Sequence, residues 1–335
     1  MRTANREELA KVHYIRHIPT DGRALLLNSY YDDEARDWFM YMDIDGKIIR
    51  MGGGEVIRGK YWGRLPASPE RDLELPVATL IAQHLSFPDI VEALHSIEDD
   101  VHQLAAIMEI YQMISNTKQV RPNDAAYLMT SEIEHLIIVI RSLYDLLQKL
   151  SKRACAKVVS LGETKKRIMT ELPDSFADVA LKGSTPRTEQ EMIEKFRLPN
   201  ALAAFYAARA TKFAMLRDIR VAIEHHGKSL PIVFAMDEGM AVSVDEKPWK
   251  EFPLWKPELI RNNRFGPLRA VLAYLISDIL NATTEYVGVF ASIVSLPQAV
   301  SPGLKIFMRD PFGGHLVKLR EILSAPWERP LKPSS

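Results

Sequence analysis

The chain has a single cysteine, Cys155, among 335 residues. That excludes an internal disulfide framework and any multi-cysteine zinc site, and it fits a reducing compartment. Arg153 and Lys157 flank the thiol, but no nucleophile motif surrounds it, so a passive side chain is expected. Excess positive charge is also missing, since 43 Lys and Arg balance 43 Asp and Glu. Bulk-charge binding to nucleic acid is therefore not expected, and any RNA contact has to come from a local basic cluster. Met1 to Val12 lacks the apolar core of a secretion signal. The longest uncharged run, Tyr286 to Leu304, is broken by Pro297 and Pro302, which argues against a membrane span. A cytoplasmic protein with no membrane partner is the expectation. Signatures of the GxSxG, Walker, Rossmann and HExxH types are absent, which removes several enzyme classes.

Three fragments invite a ligand and do not sustain it. Gly52-Gly53-Gly54 is followed by no GKS or GKT and opens no helix, so it reads as a loop or bulge. Asp43-x-Asp45-Gly46 lacks the remaining ligands of a calcium loop and reads as a turn. Glu132-x-x-His135 has the spacing of a di-iron ligand pair, but no second such motif accompanies it. No cofactor and no metal are expected.

What the chain does contain is ordinary globular material, 47% hydrophobic and 26% charged. Its length allows one large domain or two modest ones. Val12 to about Gly63 is strand-rich, with a hairpin predicted where Trp38–Met42 and Lys47–Met51 flank Asp45-Gly46. From Asp89 the apolar period becomes helical. Long helices are predicted over Asp89–Ser115, Asp124–Lys152, Asn200–His226 and Pro267–Val294, with a second hairpin around Asp237-Glu238-Gly239. The expected fold class is mainly α: an elaborated four-helix bundle with a β-rich N-terminal region and an inserted β-hairpin. The expected division is a β-rich region over 1–66, a helical bundle over 67–300 with its hairpin near 231–245, and a C-terminal extension over 301–335.

The third long helix is nearly free of charge from Asn200 to Leu216, carrying only Arg209 and Lys212. Its end is different: Arg217-Asp218-Ile219-Arg220-Val221-Ala222-Ile223-Glu224-His225-His226, closed by Gly227. At about 100° per residue, Arg220, Glu224, Arg217, His225 and Asp218 share one arc of roughly 160°. Met215, Leu216, Ile219, Ala222 and Ile223 hold the opposite arc, with His226 among them. A helix this apolar is buried on most sides, so its ionisable groups have to be paired, wet or chemically employed. The second helix has a matching stripe of Glu134, Arg141 and Asp145. Arg141–Asp145 reads either as a structural ion pair or as support that orients Arg217 or Arg220.

Arg220, four intervening residues and His225 resemble the arginine-to-histidine motif of HEPN domains, the higher-eukaryote and prokaryote nucleotide-binding helical bundles. The position after the arginine, often Asn, Asp or His in that family, is Val221 here. Many members are metal-independent endoribonucleases, often toxins or antiviral effectors of prokaryotic defence, whose site forms where two bundles meet. The resemblance implies a homodimer acting on single-stranded RNA, with Arg220 and His225 as the catalytic pair. Arg217, Asp218, Glu224, Arg141 and Asp145 are the expected supporting residues. A noncatalytic homodimeric interaction protein and a nucleotide-binding regulator are the alternative readings of the same face.

Overall fold

The structure, a computed structural model, describes residues 5–117, 119–160, 172–226 and 230–328, without the side chains of 159, 160 and 222–226. A short helix, α1 (Arg6–Leu9), precedes strands β1 (Ser29–Asp32), β2 (Asp37–Ile44), β3 (Lys47–Gly52), β4 (Gly59–Gly63) and β5 (Asp72–Glu74). Asp45 and Gly46 both take positive φ, 53° and 83°, the geometry of a tight turn matched to strand twist. They join β2 to β3 with Met42 opposite Ile49. Helices α2 (Pro76–His84), α3 (Pro88–Asn116) and α4 (Pro122–Cys155) follow. Each opens on a proline, whose missing N–H has no intrahelical partner to lose in the first turn.

Next come β6 (Val159–Ser160), α5 (Phe176–Ala180), β7 (Leu181–Lys182), β8 (Thr185–Pro186) and α6 (Glu189–Phe196). The last of these starts with a capping box between Thr188 and Glu191. The remainder is α7 (Asn200–His226), β9 (Phe234–Met236), β10 (Gly239–Ser243), β11 (Phe265–Pro267), α8 (Leu268–Ile293), β12 (Val294–Ser295), β13 (Lys305–Arg309) and α9 (Leu319–Ser324). The four long helices expected from the apolar period are α3, α4, α7 and α8.

The mainly α class is nevertheless overturned. Helix makes up 49% of the described residues and strand 16%, and six strands form one sheet in the order β3-β2-β1-β4-β13-β5. The β1–β4 pair is parallel, and the other four pairs are antiparallel. The chain is therefore an α+β fold with a mixed sheet, not an elaborated four-helix bundle. The expectation failed because β13 lies between β4 and β5, where Phe307 pairs with both Tyr61 and Glu74. Pairing between distant segments leaves no mark on the local hydrophobic period. The second hairpin also gains β11 as a third strand, in the order β11-β10-β9.

One face of the large sheet shares a continuous core with the helices. Tyr41, Trp62, Ile306 and Met308 join Leu104 of α3, Leu143 of α4, Phe213 of α7 and Ile276 of α8. The two-residue period of a strand sends Trp38, Tyr61 and Phe307 to the other face, into a small separate cluster. Arg309 is buried there with partners, as burial of a charge requires. It donates to Asp72 and Glu55 and lies 5.7 Å from the Trp38 ring centroid. Beyond that cluster, Met40, Met42, Ile44, Ile49 and Met51 of the β2–β3 hairpin stay exposed.

Candidate functional site

Helix α4 buries Ile133, Ile137, Ile140, Leu143 and Leu147 among others. The opposite stripe, at spacings of three and four, is Glu134, Ile138, Arg141, Asp145 and Lys149. The last turns of α7 bring Arg220 against it. Ile138, Arg141, Ser142, Asp145, Leu146, Lys149 and Arg220 enclose a cleft of about 270 Å³. Arg220 is the residue of the α7 polar arc that meets the α4 stripe here, and three cations share the cleft with one carboxylate.

Asp145 is held there by a third element. Its Oδ1 accepts the Phe176 N–H at 2.8 Å, while Ser175 Oγ accepts from Ala177 at 3.1 Å. Between them they satisfy two of the unpaired N–H groups that begin α5. Burial drives the Asp145 pKa up; the Phe176 N–H, Arg141 and Lys149 oppose the rise without cancelling it. Arg141 lies 5.7 Å from the Phe213 ring centroid, a cation–π distance.

The other expected residues lie elsewhere. Arg217 Nη1 donates to the Gly183 carbonyl at 2.6 Å, which ties it to the turn between β7 and β8. Asp218 is exposed. Glu134 lines a second groove, of about 740 Å³, that α4 forms with the segment from Leu230 to Ala235. The backbone of α7 is helical through His226, but the side chains of Glu224, His225 and His226 lie outside the described residues. Arg220, Arg141 and Asp145 are thus brought together, while Arg217 and Asp218 are directed away.

Lys149 and Ser142 were missed by the sequence reading. Lys149 follows Asp145 by one helical turn on the same stripe, and that spacing was the available signal. The two charges inside the apolar part of α7 have structural partners on α8. Lys212 lies 2.9 Å from Asp278, and Arg209 reaches Asp278 at 3.3 Å as well as Glu285. Glu132 and His135 approach to 3.8 Å, with the His135 ring 2.9 Å from Gln103. Cys155 is buried, and burial pushes its thiol pKa up to about 12.

Among the described residues no group of three or more His, Cys, Asp or Glu side chains is arranged to hold a metal ion. None of the described helices is long and apolar enough to cross a membrane. Comparison with family models, with curated proteins and with solved structures finds no match to this chain.

Proposed function

We propose that the chain is a metal-independent endoribonuclease of HEPN type, with Arg220 and His225 as its catalytic pair. The observation that supports this most is the placement of Arg220 in one cleft with Arg141 and Lys149. A phosphodiester gains charge on its oxygens as the 2′-hydroxyl attacks, and converging cations stabilise that charge. The 2′-hydroxyl has to lose a proton and the 5′-oxygen has to gain one, a task suited to a histidine that titrates near neutrality. On a regular helix, Arg220 and His225 point about 140° apart. A homodimeric site, with complementary groups supplied by each chain, reconciles that divergence.

Purified protein is expected to cut single-stranded RNA in the presence of EDTA and to leave a 2′,3′-cyclic phosphate or 3′-phosphate. Arg220→Ala and His225→Ala should each slow cleavage by about 10²-fold or more, with little change in the thermal midpoint. Activity that survives both substitutions overturns the assigned roles.

A second reading, a noncatalytic homodimer, has one observation in its favour. Met40, Met42, Ile44, Ile49 and Met51 form an exposed apolar stripe beside β3, a terminal strand of its sheet, and such stripes mark contact surfaces. Sedimentation velocity of the wild type against Ile49→Lys tests it. A dimer that dissociates in the variant, in a protein that cuts no RNA, favours this reading; a monomeric wild type removes it.

A further inference from the structure

The cationic cleft and the larger groove open along one side of α4. At 100° per residue, Asn123, Tyr127, Thr130, Glu134, Ile138, Arg141, Asp145 and Lys149 fall within about 100° of arc. Arg141, Asp145 and Lys149 line the cleft, and Asn123, Tyr127, Thr130 and Glu134 line the groove. The stripe from Asn123 to Lys149 is about 39 Å long at the helical rise. Tyr127 and Arg141 stand about 21 Å apart along it.

The two depressions differ in chemistry. Among the described residues, Lys and Arg line the cleft and not the groove. The groove, about 740 Å³, presents the Tyr127 ring, the hydroxyls of Thr130 and Ser131, and the Glu134 carboxylate. Tyr127 is 76% exposed, which burial in a core does not explain and which leaves its ring free to stack. A ligand that places anionic phosphate at one end and a flat, hydrogen-bonding ring at the other is a single strand of nucleic acid.

We propose that the groove beside Tyr127 is a nucleobase subsite, in which one base of a single-stranded RNA stacks on the Tyr127 ring while its backbone continues to the Arg220 cleft. This rests on the ribonuclease reading for the identity of the strand. Glu134 adds selectivity. A carboxylate only accepts hydrogen bonds, so it pairs with the exocyclic amino groups of adenine, cytosine or guanine, whereas uracil offers only its N3–H between two repelling carbonyls.

Fluorescence anisotropy with labelled 2′-O-methyl oligoadenylate and oligouridylate tests the subsite. These probes have no free 2′-hydroxyl, so binding is read apart from cleavage. Oligoadenylate should bind more tightly than oligouridylate, with the preference lost in Glu134→Ala, which removes the acceptor. Tyr127→Ala should weaken oligoadenylate about tenfold, the scale of one stacked base, and Tyr127→Phe should bind as the wild type does. A Tyr127→Ala protein that binds as tightly as the wild type overturns the subsite. So does a wild type that ignores both probes, which leaves the groove and its terminal strand β9 to an extended peptide. Tyr127-dependent binding without cleavage of ordinary RNA upholds the subsite and removes the nuclease reading.

Discussion

Asp145 shows how one side chain serves two neighbours. Its oxygen is needed as an acceptor for the Phe176 N–H, but its charge is disfavoured by burial. A carboxyl whose pKa is raised by folding binds its proton more tightly in the folded state. Its contribution to stability is therefore greatest at low pH and falls as pH climbs from the unfolded pKa, near 4, through the raised folded value. Asp145→Asn keeps an acceptor and removes the charge. At pH 7 it should be at least as stable as the wild type in urea melts, and any advantage should shrink toward pH 4. Asp145→Ala leaves the Phe176 N–H without its acceptor and should lose about 1–3 kcal/mol. A destabilised Asn variant at pH 7 would show that the charge itself is wanted, for Arg141 or Lys149. The meeting of Asp145 and Arg141 with Arg220 was legible in the sequence, because all three sit on long helices whose period assigns faces. The attachment of Asp145 to Phe176 was not, since α5 has five residues and is too short to show a period.

Among the elements, α4, α7 and α8 are joined by a polar network buried inside their apolar contact. Tyr206 donates to Gln148, Gln148 Nε2 donates to the Pro173 carbonyl at 2.6 Å, and the Ser151 and Tyr286 hydroxyls lie 2.9 Å apart. A buried network holds only while every member keeps a partner. Gln148→Leu orphans the Pro173 carbonyl and leaves the Tyr206 hydroxyl only the longer bond to Ser151 Oγ, at 3.4 Å, and should cost about 1–3 kcal/mol. Adding Tyr206→Phe removes that weakened hydroxyl and should cost less in the Gln148→Leu background than in the wild type, a coupling that a double-mutant cycle measures. Strictly additive losses would show that the two side chains act independently. Long helices were readable here because their apolar stripes repeat many times. β4 and β5, of five and three residues, repeat too few times to declare a face, and their partner strand lies far along the chain.

At the scale of the whole molecule, β13 is the piece on which the large sheet depends. It is buried from Ile306 to Arg309 and bonded on both sides, to β4 and to β5. A chain truncated before Pro302 should lose its cooperative urea transition, because β5 would lose its strand partner, β4 would keep only β1, and Asp72 would lose Arg309. A sharp transition retained by the truncated chain would show that the helices hold the fold without a completed sheet. The placement of β13 also sets a schedule for biosynthesis. About 240 residues separate Gly63 from Lys305, so at roughly 5–20 residues per second a ribosome needs roughly 10–50 s between them. For that interval β4 and β5 are out of the ribosome with the seat between them vacant. Their unpaired edges are then binding sites for chaperones, and for the same edges on neighbouring nascent chains.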